Sequence, residues 1–99
     1  DLQNFIKLVE HEALTLHAMM MMSEPAFILM KTGTLEVINQ LWNFRKETGH
    51  PLFFTLDAGA NVHLLFPENE STRAIKDFIS AELLPHTQKG GVVKDVMRF

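Results

Sequence analysis

Two short runs of alternating apolar residues flank an Ala-Gly-Ala turn, and this arrangement constrains the fold more tightly than any other stretch of the chain. Over Leu52 to Leu56, the residues Leu52, Phe54 and Leu56 face one way while Phe53, Thr55 and Asp57 face the other. From Asn61 to Phe66 the pattern repeats, with Val62, Leu64 and Phe66 sharing a face. The connection Ala58-Gly59-Ala60 is short, and Gly59 tolerates the positive φ that a tight turn demands. The spacing predicts a β-hairpin.

Helical periodicity surrounds this hairpin. Residues 2–22 read as a helix, because Leu2, Phe5, Ile6, Val9, Ala13, Leu16 and Met20 recur at three- and four-residue steps, with Gln3, Lys7 and Glu10 on the other side. Ser23-Glu24-Pro25 breaks the pattern. Residues 26–31 form a short apolar run that is either a strand or buried coil. A second helix opens at Thr32-Gly33-Thr34, with Thr34 as N-cap and Glu36 in the first turn. Leu35, Ile38, Leu41, Trp42 and the stem of Arg45 make its buried side; Gly49 and Pro51 end it. Trp42 reads as a core or domain-interface anchor, and Met19 to Met22 as gap-filling core residues. A third helix enters at Pro67 to Ser71 and runs to about Leu84, burying Ala74, Ile75, Phe78, Ile79 and Leu83 before Pro85 stops it. Gly90-Gly91 turns the chain into a last strand, Val92 to Phe99.

The order helix, helix, strand, strand, helix, strand is that of a ferredoxin-like split β-α-β sandwich without its opening strand. The expected fold class is therefore α+β, an antiparallel sheet of three to four strands with helices packed on it, residues 26–31 being the alternative source of the fourth. The 99 residues suffice for a single domain. The missing strand, with the absence of an initiator Met, points to a piece of a larger protein. A bare sheet edge is expected to drive self-association, hence a homodimer.

Composition narrows the partners. A net charge of −3 does not suit a phosphate backbone, so no nucleic acid is expected. No apolar run is longer than Ala18 to Met22, which falls far short of the ~18 residues of a membrane span. With no cysteine, disulfides and thiolate metal sites are excluded, and a cytoplasmic setting is expected.

Asp57 is the candidate catalytic residue. It ends a buried strand ahead of a glycine turn, where a rigid element aims a side chain at a cleft. A carboxylate held there can act as general base on a hydroxyl, although Asp before such a turn is also an ordinary hairpin residue. The histidines carry less. His11 and His17 stand six residues apart, and six steps of ~100° put them on different helix faces, so no metal is expected. His50, His63 and His86 are expected in solvent. Nothing pairs Ser or Cys with His for nucleophilic chemistry.

The string Thr55-Leu56-Asp57-Ala58-Gly59-Ala60-Asn61 is similar to the T-x-D-A-G-P-N signature of diphosphomevalonate decarboxylases, members of the GHMP kinase superfamily. Leu16-His17-Ala18, Ser23-x-Pro25-x-Phe27, and the helix through Leu41 to Arg45 and Gly49 resemble the region that precedes the signature in that family, which implies for His17 a place at the core edge, bonded to backbone. The resemblance runs from about Glu10 to Phe66 and continues beyond only as pattern. It implies that residues 1–99 are the C-terminal domain of a two-domain enzyme whose N-terminal domain binds ATP and Mg2+. Asp57 would then act as base on the C3 hydroxyl of diphosphomevalonate, with Ala58 and Gly59 shaping the floor of the substrate site. The hydroxyl would take the γ-phosphoryl group of ATP; loss of phosphate and carbon dioxide would give isopentenyl diphosphate, a step of the mevalonate pathway. Two departures stand out. Ala60 replaces the family's Pro, and the chain carries no phosphate-binding Gly/Ser loop, so on its own it is expected to be inactive. Alternatives are a related GHMP small-molecule kinase, which usually has a Gly-Ala-Gly-like turn here, and a regulatory or ligand-binding module in which Asp57 only turns the chain.

Overall fold

In the computed structural model, which describes residues 1–21, 32–57, 61–84 and 92–99, the hairpin forms as its alternation requires. Strand β1 (Phe53–Leu56) pairs antiparallel with β2 (Val62–Phe66), Phe53 opposite Leu65 and Thr55 opposite His63. Three helical segments accompany them: α1 (Leu2–Met21), α2 (Thr32–Thr48) and α3 (Thr72–Phe78), the last continuing into a π-helical turn over Ile79–Leu83. Strand β3 (Val93–Arg98) completes a sheet of order β1-β2-β3. The class is α+β, but the sheet is mixed, because β3 lies parallel to β2 rather than antiparallel. The chain returns from the end of β2 through α3 and re-enters the sheet in the same direction, as a helical crossover permits and a hairpin does not. The expected break at Ser23-Glu24-Pro25, the run 26–31, the Ala58-Gly59-Ala60 turn, Pro85, His86 and the Gly90-Gly91 turn all lie outside the described residues.

The core fills the space between one sheet face and the helices. Phe54, Leu56, Val62, Leu64, Phe66 and Val93 supply the sheet side; Val37, Ile38 and Leu41 of α2, with Ile75, Ile79 and Leu83, supply the other. The π turn has a packing reason. A four-residue step overshoots one turn of a 3.6-residue helix, so Ile75, Ile79 and Leu83 would drift around an α-helix. The wider turn, marked by Leu84 N donating to Ile79 O at 2.8 Å, takes that drift back and keeps Leu83 in the core. Phe44 and Phe78 stack at 4.1 Å and join α2 to α3. Gly49, at φ 76°, closes α2 by donating its N–H to Arg45 O at 2.8 Å, a backbone conformation in which L side chains are strained.

The buried stripes are not those the apolar spacing predicts. On α1 the inward residues are Ile6, Glu10, Ala13 and His17, while Leu2, Phe5 and Leu16 are exposed. On α2, Thr34 lies inside the helix and is buried rather than capping it, and Leu35 and Trp42 are exposed where Val37 is buried. The shift on α1 follows from where that helix sits. It runs beside β1, whose outer edge would otherwise present unpaired backbone groups. Glu10 and Arg45 cover that edge in place of a further strand: Phe54 N donates to Glu10 Oε2 at 3.3 Å, and Arg45 donates to Leu52 O at 3.0 Å. Phe53, on the opposite sheet face from the core, is buried by edge-on contacts with Phe5 and Phe99. Among the described residues no helix is long and apolar enough to cross a membrane.

Candidate active site

Asp57 follows directly on β1, and four residues later Asn61 leads into β2. The two residues bind each other in both directions. Asp57 N donates to Asn61 O at 3.1 Å, and Asn61 N donates to Asp57 Oδ1 at 3.0 Å. The Asn61 amide also reaches both carboxylate oxygens, at 3.2 Å to Oδ1 and 3.3 Å to Oδ2. A side chain that bonds to a residue four positions on in this way is held in part by its own stretch of chain.

Two histidines complete the setting. His17, only 2% exposed, donates from Nε2 to the backbone carbonyl of Asp57 at 3.0 Å, so α1 anchors the strand end from behind. A carbonyl can only accept, which assigns the hydrogen to Nε2 of this ring. His63 of β2 presents Nε2 to Asp57 Oδ2 at 3.2 Å. Its other nitrogen, Nδ1, faces Asp95 Oδ2 of β3 at 4.0 Å. The Asp57 side chain remains 41% exposed, so a ligand can approach a carboxylate whose orientation is already set.

Sequence reasoning places His17 correctly at the core edge on a backbone partner. It fails for two others. His50 is not free in solvent, since its Nδ1 lies 2.8 Å from Ser71 Oγ. His63 is not a scattered surface residue but part of the Asp57 site. The signal was present in the alternation: with Thr55 opposite His63, the residues Asp57, Asn61 and His63 share one sheet face. Ala58 and Gly59, expected to shape a substrate floor, lie outside the described residues.

A concave region lies between α1 and α2, an open groove of about 700 Å³ bounded by Lys7, Leu8, His11, Leu14, Trp42 and Lys46, with the Glu10–Arg45 pair also lining it. Asp57 does not line it. Among the described residues no group of three His, Cys, Asp or Glu side chains is arranged to hold a metal ion. No family model matches the chain, and neither curated proteins nor solved structures yield a significant match.

Proposed function

We propose that this chain is the substrate-site domain of an ATP-dependent decarboxylase that converts diphosphomevalonate to isopentenyl diphosphate, a cytoplasmic enzyme with Asp57 as its base. The observation that carries this reading is convergence. Three of the sequence blocks that resemble the decarboxylases, far apart in the chain, meet around one strand: His17 bonds the Asp57 carbonyl, Arg45 bonds the Leu52 carbonyl, and Asn61 bonds the Asp57 carboxylate. Shared service to β1 is a reason for those residue types to occur together.

Asp57 would accept the hydrogen of a tertiary hydroxyl and keep that oxygen pointed at the group it attacks. Its negative charge would also favour positive charge developing on the adjoining carbon. The resemblance assigns ATP and Mg2+ to an N-terminal domain of the full-length protein, and no step on this chain runs through them.

The test is to supply the full-length protein with ATP, Mg2+ and diphosphomevalonate and to identify the products. Release of carbon dioxide with isopentenyl diphosphate is expected. A phosphorylated product that keeps its carboxyl group would make the protein a kinase of the same superfamily, and no consumption of ATP would favour a binding module. A homodimer is proposed as well: β3 ends the sheet and exposes Val96, Met97 and nearby Phe99. Sedimentation equilibrium should give twice the chain mass, and a monomer across the micromolar range would remove the proposal.

A further inference from the structure

We infer that His63 is a positioning residue for Asp57, which fixes the second carboxylate oxygen so that the base points at the substrate hydroxyl, with Asp95 steadying the imidazole from its far side. The inference rests on the proposed role of Asp57 as base.

The role is read from the hydrogen bonds. Asn61 donates to Oδ1 at 3.0 and 3.2 Å, and its amide lies 3.3 Å from Oδ2. The torsion that turns an aspartate carboxylate is broad, so each donor that engages a carboxylate oxygen narrows the range of its plane. His63 approaches Oδ2 from the neighbouring strand, at 3.2 Å. Asn61 and His63, two positions apart at the start of β2, then both engage the carboxylate and together restrict its plane. His63 is carried by a sheet rather than by a loop, and its side chain is only 28% exposed, so the imidazole is itself restrained.

The placement of Asp95 has a specific structural cause. Val62 pairs with Val93, yet the next residue, His63, pairs with Asp95, so Lys94 is the extra residue of a β-bulge. In an unbroken register His63 would face Lys94, and Asp95 would share the inward face of Val93. The bulge thus turns Asp95 out to the face of His63. At 4.0 Å the Nδ1 to Oδ2 approach is too long for a direct hydrogen bond and acts as a charge beside the ring. Bulges of this kind recur next to active sites, where they re-aim a side chain.

The experiment compares wild type, His63→Ala, His63→Gln, Asp95→Asn and Asp57→Asn in the full-length protein, with kcat and KM measured separately and folding checked by circular dichroism and thermal unfolding. For His63→Ala the expected result is a kcat lower by roughly 10- to 100-fold with KM little changed, a part of the ~10²–10⁴ that a positioned base supplies. Gln carries an amide N–H at about the reach of the imidazole Nε2, so His63→Gln should recover most of the rate. Asp95→Asn should fall between wild type and His63→Ala. A folded His63→Ala enzyme with wild-type kcat, while Asp57→Asn is inactive, overturns the inference and leaves the proposed function standing. A Gln variant no better than Ala overturns hydrogen-bond donation as the cause. Wild-type enzyme inert toward diphosphomevalonate removes the proposed function, and the inference with it.

Discussion

Exchanging Asp57 for Asn in the full-length protein should lower kcat by about 10²–10⁴-fold, the range that a positioned general base supplies. At about 1.4 kcal/mol per decade this corresponds to roughly 3–5 kcal/mol of transition-state stabilisation. The fold should survive, because Asn keeps an acceptor for the Asn61 N–H that now lies 3.0 Å from Oδ1. Asp57→Ala makes a useful contrast. It removes the base and also leaves that N–H without its acceptor, so a further loss of about 1 kcal/mol in folding stability is expected. Equal loss of activity in both variants with unequal loss of stability separates chemistry from scaffolding. Retention of wild-type kcat by folded Asp57→Asn would move the base to another residue and reduce Asp57 to a hairpin residue.

The second large effect is expected at Arg45. Its guanidinium makes two 2.8 Å bonds to the Glu10 carboxylate, whose side chain is 8% exposed, and a third bond to Leu52 O. Trp42 Nε1 and Phe54 N also donate to Glu10, at 3.1 and 3.3 Å. Truncation in Arg45→Ala leaves the carboxylate in place, largely buried and without its cation. Breaking a buried pair from one side costs about 3–5 kcal/mol. The Arg45 side chain is 26% exposed, and water entering from that side should hold the cost near 3 kcal/mol. For a domain of this size that is a fall in Tm on the order of 12 °C or more. Arg45→Lys should recover only part, since an ammonium cannot make the two-pronged contact. Urea denaturation of Arg45→Ala, Glu10→Gln and the double variant gives the coupling energy directly. A loss below about 1 kcal/mol would mean that the pair behaves as an exposed ion pair and does not seal the β1 edge.

How much of this was legible beforehand differs from element to element. The hairpin, its register face and the three helical stretches follow from periodicity, because a two-residue repeat and a 3.6-residue repeat are properties of neighbours in the chain. Gly49 was readable for the same reason: a helix that must stop needs a residue that accepts the left-handed turn. Leu35 misled, since an apolar residue at helical spacing need not be the one that meets the sheet; Val37 takes that place. Glu10 was harder still. A helix packed on a sheet face buries apolar residues, but a helix laid along a strand edge must satisfy backbone donors and acceptors, and polar side chains do that.

The Asp57 site divides along the same line. Asp57 and Asn61 are four residues apart and bond through the turn they enclose, so local sequence was enough to single them out. Their histidine partners were not legible in that way. His17 comes from a helix 40 residues earlier, and Asp95 reaches the face of His63 only because β3 runs parallel to β2 with a bulge at Lys94. The amino-acid sequence by itself determined the elements, the apolar face of the hairpin and the acidic residue at the strand end, all of which are set within a few residues of chain. Tertiary structure alone decided the direction of the last strand, the polar sealing of the β1 edge and the meeting of His17, His63 and Asp95 around Asp57, because each depends on backbone groups or side chains that are distant in sequence and adjacent only in the folded chain.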